Sequence, residues 1–172
     1  ALFYGRAGKS KGLDVLIRAI PSIIKQIPQF HLLCIISKDR AYARQANSIR
    51  ALARRLDVIP FITFIDSVAR SELPGYLHAA NCVIVPSLSE GFGFTVAESS
   101  AAGAVTIASN IDSIPEVISG RYVLFDTGNS ESLAQAVVLA YHGKITRSPL
   151  RRFPLSSNIK NYLNTYTKLL AK

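Results

Sequence analysis

The sequence predicts an α/β fold of three layers: a parallel sheet of about six strands with helices on both faces. Three observations lead there. Short apolar, β-branched runs alternate with longer stretches whose apolar residues recur at helical spacing. The chain's 172 residues, 49% hydrophobic and 18% charged, suit one domain that removes roughly 70% of its unfolded surface from water. Its 10 Gly and 8 Pro form no biased tract, which excludes disordered, collagenous and linker classes. Residues 1–172 therefore read as a single domain.

The elements follow in order. Strands are expected at 2–4, 32–36, 62–65, 82–85, 105–108 and 122–125, where LFY, LLCII, ITFI, CVIV, VTIA and YVLF stand. Between them run helical stripes: Leu13, Leu16, Ile17, Ile20; then Ile49, Leu52, Ala53, Leu56; then Leu73, Tyr76, Leu77, Ala80; then Leu133, Ala136, Val137, Ala140. Pro21 lies in the first stripe, where it removes a backbone donor and crowds the Ile17 carbonyl, so a kink or break is expected there. A last helix over 157–170, with Ile159, Tyr162, Leu163, Tyr166 and Leu170 as its apolar seam, is expected to pack across the domain or toward a neighbour. The chain opens inside the first strand, ALFYG, as a segment cut from a longer polypeptide would.

Charge and cysteine usage narrow the class. The net charge is +9. One cationic cluster is Lys38, Arg40, Arg44, Arg50, Arg54 and Arg55; the other is the tail, where Lys144, Arg147, Arg151, Arg152, Lys160, Lys168 and Lys172 follow Glu131 with no later acid. Such clusters suit a solvated basic face or peripheral contact with an anionic membrane. No nucleic-acid motif or aromatic interleaving accompanies them, so no nucleic-acid partner is expected. Cys34 and Cys82 sit in apolar runs and read as reduced, buried thiols of a cytoplasmic protein. No apolar stretch reaches the ~18 residues of a membrane span. His31, His78 and His142 lack partners at metal-ligand spacing, so structural roles and no metal are expected.

In open parallel sheets, ligands collect beyond the C-terminal strand ends, where helix N-termini present free amides. Two loops qualify. GRAGKSKG, residues 5–12, carries Arg6, Lys9 and Lys11 out of the first strand. It is not a P-loop, because a GxxxxGK[ST] motif with its second glycine at Gly8 needs glycine where Phe3 stands. A lysine-rich solvated turn is the plain alternative. The second loop, 86–103, places Glu90 beside Gly91 and Gly93, whose lack of a Cβ lets backbone approach a ligand. Amides around Phe92, Gly93, Phe94 and Thr95 then meet the positive end of a helix, which suits a diphosphate. Further in, Phe94, Ala97, Glu98 and Ala101 share one stripe, setting a carboxylate where an apolar residue is expected. Because helical side chains lean toward the N-terminus, Glu98 would reach the same crevice. A buried carboxylate needs donors. These are either backbone amides, with Glu90 capping the helix, or ligand hydroxyls, with Arg6 and Lys11 supplying charge for a phosphate between the acids.

At these residues the sequence resembles the C-terminal, donor-binding half of a family 4 retaining glycosyltransferase of the GT-B fold, a Rossmann-like domain. GRAGKSKGLDVLIRAIP resembles that family's opening GR-x4-KG and its helix, FIDSVARSELPGYLHAANCVIVPS its middle segment, and EGFGFTVAE its E-x7-E motif in register from Glu90 to Glu98. TIASNIDSIPEVISGRYVLFDTGNSESLAQAV resembles its closing strand, IPEV turn and penultimate segment. The resemblance implies transfer of a hexosyl group from a nucleotide diphosphate sugar to an acceptor hydroxyl in glycan, lipid or polysaccharide biosynthesis, with retention and without metal or other cofactor. It implies that Arg6 and Lys11 hold the diphosphate as it leaves, that Glu90 contacts donor-sugar hydroxyls and Glu98 the ribose, and that the Gly91, Phe92, Gly93, Phe94 and Thr95 backbone cradles phosphate. Such cations and amides stabilise charge that develops only as the donor bond breaks.

Two departures affect specificity. ISKDR lacks the glycine-rich turn often found where the family forms its base pocket, here near Ser37 and Lys38 and near Asp66 to Val68. NIDSIPEV has Asp112 and Ser113 where many members carry glycines. The family's N-terminal acceptor-binding domain is absent, so the isolated chain is expected to bind donor weakly and transfer nothing. The alternatives are a non-catalytic nucleotide-binding regulatory module and a basic domain that binds nucleic acid or membrane.

Overall fold

A computed structural model of the chain describes residues 1–37 and 39–170; Lys38 and Lys172, counted above among the cations, lie outside the described residues. The strands are β1 (Leu2–Gly5), β2 (Leu32–Ile36), β3 (Ile62–Asp66), β4 (Cys82–Val85), β5 (Val105–Ser109), β6 (Gly120–Phe125) and β7 (Thr146–Ser148). They form one sheet in the order β3-β2-β1-β4-β5-β6-β7. The pairings β3–β2, β2–β1, β1–β4, β4–β5 and β5–β6 are parallel. The sheet thus has seven strands, not the expected six, because β7 adds an antiparallel edge on Gly120, Arg121 and Tyr122. Its TRS sequence has no apolar signal; the strand exists through backbone pairing at an exposed edge.

The helices are α1 (Leu13–Gln26), α2 (Ala43–Arg55), α3 (Leu73–Ala79), α4 (Phe94–Ala101), α5 (Ile114–Val117), α6 (Ser130–Tyr141) and α7 (Leu155–Leu170). Successive strand residues point to opposite faces, and the core divides accordingly. Phe3, Leu32, Cys34, Ile36, Ile84 and Ile107 pack with the buried stripes of α1, α2 and α6. Leu2, Ile35, Val83, Val85 and Ala108 pack with Leu77, Val96, Ile114 and Val117 of α3, α4 and α5.

Three expectations are corrected. Pro21 does not break α1, which continues to Gln26; a proline there costs about 3 kcal/mol, and the fully buried Leu16, Ile17, Ile20 and Ile23 on the helix's inner face offset it. Cys34 is buried as expected, but Cys82, at the N-terminal end of β4, is only half-buried; both are free thiols. The last helix starts at Leu155, two residues early, and does not pack across the domain: every described residue of α7 is exposed. No helix among the described residues is long and apolar enough to cross a membrane.

Candidate functional site

In the strand order β2-β1-β4-β5, the chain leaves β1 toward one edge of the sheet and returns from β3 to the other side of β1 at β4. The loops after β1 and β4 therefore part in opposite directions, and the crevice between them is where ligands of open α/β sheets collect. A cleft of about 600 Å³ opens there, lined by Tyr4, Arg6, Lys11, Phe94, Thr95 and Glu98 together with Ser37, Ser67, Val68 and Arg70.

The two loops lock together at Gly12. Its φ is +60°, a left-handed conformation, and a Cβ there would lie 1.8 Å from the Pro86 carbonyl oxygen. Only glycine permits this approach. The amide of Leu88 also donates to the carbonyl of Ser10 at 2.7 Å. This crossing brings Lys11 to Glu90, 79 residues later: Lys11 Nζ donates to Glu90 Oε2 at 2.6 Å, with the side chains 20% and 12% exposed. Ser87 Oγ donates to the same oxygen at 3.3 Å. The Glu90 backbone is held as well, its amide donating to Asp112 Oδ2 at 2.9 Å and its carbonyl accepting from Ser113 Oγ at 3.1 Å. Asp112 sits at φ +47°, a region where glycine is ordinarily at ease. Asp112 and Ser113 thus fix the Glu90 backbone.

Glu90 is not a helix cap. The cap position of α4 is Gly93, at φ +91°, and no side chain caps the helix, so its first-turn amides remain available to an anion. Phe94 is 71% exposed and meets half-buried Phe92 at a tilt of 54°, the ring centroids 5.0 Å apart. Phe92 also meets Phe153, from the segment before α7, edge-on at 5.1 Å. Gly91 is exposed and open on its Cβ side.

Of the stripe expected to be buried, Phe94 and Glu98 line the cleft, while Ala97 packs at the edge of the core. Val96, Ser99 and Ser100 form the buried face of α4, while Phe94 and Ala101 are exposed and Ala97 and Glu98 half-buried. Glu98 draws its bond from a side chain, not from backbone amides: Tyr4 Oη donates to Glu98 Oε2 at 2.9 Å. Burial first, then the Glu98 charge, pushes the Tyr4 phenol well above its ordinary pKa, so it stays protonated. Arg6 pairs with neither Glu90 nor Glu98. It is exposed, its Nη1 donating to Tyr42 Oη at 3.3 Å and its guanidinium lying 5.5 Å from that ring's centre.

Of the residues singled out from sequence, Arg6, Lys11, Phe94, Thr95 and Glu98 line one cleft, and Glu90 joins it through Lys11. Lys9 lies in a neighbouring hollow with Arg44. Ser37 and Val68, from the expected base pocket, border the cleft; Lys38 lies outside the described residues. Tyr4, Gly12, Tyr42 and Ser87 were missed. Only Gly12 had a sequence signal, as the glycine closing the basic loop. The histidines stand apart, His31 contacting Thr63 Oγ1 at 2.8 Å.

Comparison with known proteins gives a consistent result. The family described as glycosyl transferases group 1 matches residues 1–142. The D-inositol 3-phosphate glycosyltransferase of Corynebacterium glutamicum is 33% identical over 130 residues, 74% of this chain and 31% of the relative. That of Corynebacterium jeikeium is 30% identical over 120 residues, 69% of this chain and 29% of the relative. The chain thus spans under a third of these curated relatives. Among solved structures, sucrose-phosphate synthase from Thermosynechococcus elongatus superimposes with a TM-score of 0.74 at 29% identity, over 82% of this chain and 35% of that one. An Anabaena HepE protein in complex with UDP and glucose gives 0.75 at 19% identity, over 83% and 38%, a likeness of fold alone.

Proposed function

From a chain that belongs to the group 1 glycosyl transferases, we propose the donor-binding half of a retaining hexosyltransferase that uses a nucleotide diphosphate sugar. The observation that carries this reading is the convergence of Arg6, Lys11, Glu90 and Glu98 on one cleft at the strand-order reversal. Proteins of the same fold solved with UDP or UDP-glucose support the ligand class.

The chemistry follows from placement. The acceptor hydroxyl oxygen bonds to the anomeric carbon on the face from which the phosphate departs; as the bond to the distal phosphate oxygen breaks, the nucleoside diphosphate leaves with the electron pair and that oxygen takes the hydroxyl proton. Arg6, Lys11 and the first-turn amides of α4 meet that departing charge in the role a metal ion fills elsewhere. Losing one such group typically costs about 2.7 to 4 kcal/mol in the barrier. Glu90, held at its amide, carbonyl and carboxylate, is preorganised for sugar hydroxyls, and its pairing with Lys11 keeps that cation at the cleft before donor arrives. Glu98 receives the ribose.

The acceptor site belongs to a further domain, so the isolated chain binds donor and transfers nothing. The exposed apolar seam of α7, with Leu155, Ile159, Tyr162, Leu163 and Tyr166, and the acid-free basic tail favour work at the cytoplasmic face of an anionic membrane.

Calorimetric titration with UDP-, GDP- and ADP-sugars tests the reading. One of them should bind, and Glu98→Ala should weaken that binding by roughly tenfold. Absence of binding by all three overturns it, and turnover of a radiolabelled donor by this chain alone overturns the division of labour.

A further inference from the structure

The contact between β1 and α4 deepens that reading and rests on it: we infer that Tyr4 is a positioning residue, whose hydroxyl holds one oxygen of Glu98 so that the other is presented to the ribose of a bound nucleotide.

Tyr4 Oη has one proton and two acceptors in reach, Glu98 Oε2 at 2.9 Å and the Thr95 carbonyl at 3.2 Å. Thr95 already accepts from Ser99 Oγ at 2.6 Å. The carboxylate, charged and closer, takes the phenol's proton as a charge-assisted bond. The phenol cannot escape this role by ionising, because burial and the Glu98 charge oppose it. Tyr4 springs from the central strand β1, paired with β2 on one side and β4 on the other, so its backbone is fixed by the sheet. No other group donates to Glu98 among the described residues, and Glu98 has no buried oxygen left without a partner. One oxygen is thus held by the strand and the other remains open to the cleft that Glu98 lines. A glutamate has three rotatable side-chain bonds, and freezing them before the ligand arrives spares the ligand that ordering cost.

The test measures discrimination between ribose and its absence. Wild type, Tyr4→Phe, Glu98→Ala and the double variant are titrated calorimetrically with whichever of UDP, GDP or ADP wild type binds best, and with its 2′,3′-dideoxy counterpart. Wild type should favour the ribonucleotide by roughly tenfold. Tyr4→Phe should weaken the ribonucleotide by about fivefold while leaving the dideoxy compound's affinity unchanged, so that the preference collapses. Adding Tyr4→Phe to Glu98→Ala should change nothing further. The inference is overturned if Tyr4→Phe keeps the wild-type preference, if it weakens both ligands equally, or if it acts in the Glu98→Ala background. If Tyr4→Phe does not fold, Tyr4→Leu, which also lacks a donor, is read in the same way. Wild type that binds no nucleoside diphosphate overturns the underlying reading as well. Wild type that binds, with Glu98→Ala losing the preference and Tyr4→Phe retaining it, overturns this inference alone.

Discussion

The two loops that meet over the cleft are held in different ways. In the acidic loop after β4, Glu90 is gripped by four side chains, from Lys11, Ser87, Asp112 and Ser113. In the basic loop after β1, Arg6 bonds only Tyr42 among the described residues, while the rest of the loop is tied by Lys11 to Glu90, by the Ser10 carbonyl accepting from the Leu88 amide and by backbone approach at Gly12. The difference matches what each must do. A carboxylate that selects hydroxyls gains from a fixed direction, whereas a guanidinium meeting a diphosphate gains from charge and reach. Glu90 is fixed at both backbone and carboxylate, Arg6 by one hydroxyl and one ring.

The largest expected effect is at the junction. Gly12→Ala forces a Cβ into the Pro86 carbonyl at a left-handed φ and should destabilise the fold by about 3 kcal/mol. Thermal unfolding should show a Tm lower by roughly 6 to 12 °C; an unchanged Tm would mean that the loops are not locked there. Next is the acidic wall. Asp112→Ala should cost about 2 kcal/mol, because it removes the acceptor of the Glu90 amide and leaves alanine at φ +47°. Asp112→Gly relieves the second term and should cost less. Equal losses in urea unfolding would show that backbone conformation contributes nothing at this turn.

Beneath both loops, Cys34 on β2 pairs with Phe3 of β1. Burial pushes its thiol up to about 12 from 9.0. The folded state therefore holds this proton more tightly than the unfolded chain does. The stabilisation is complete below pH 9 and fades toward pH 12, by at most about 1.4 kcal/mol per pH unit. Wild type should lose stability over that window more steeply than Cys34→Ala; parallel curves would contradict the assignment. The smallest effect belongs to the basic wall. Tyr42→Phe deletes the hydroxyl that receives Arg6 but keeps the ring. Pyrophosphate affinity measured by calorimetry should fall roughly threefold with Tm unchanged. A loss as large as that of Arg6→Ala would show that the basic wall too depends on polar fixation.

Elements buried on both faces were legible from the sequence. Leu32–Ile36 and Cys82–Val85 appear where their unbroken apolar runs predicted them, since a central parallel strand must be apolar on both sides. Thr146–Ser148 was illegible because an edge strand needs only backbone partners. The burial of α4 was misread for a related reason: the stripe holding Glu98 follows the helical period, yet Val96, Ser99 and Ser100 face the core. Periodicity identifies a helix face without saying whether core or cleft lies against it.

By itself the sequence determined the alternation of strands and helices and the glycine-bearing loops, because these follow from hydrophobic period and local backbone freedom; that Arg6, Lys11, Glu90 and Glu98 share a crevice was what the family resemblance implied. Only the tertiary structure decided that Lys11 pairs with Glu90, that Tyr4 bonds Glu98, that Gly12 lies on Pro86 and that α7 stands clear of the sheet. Those contacts join residues up to 94 positions apart. A side chain's partner at that separation is set by strand order and helix placement, which no local pattern encodes.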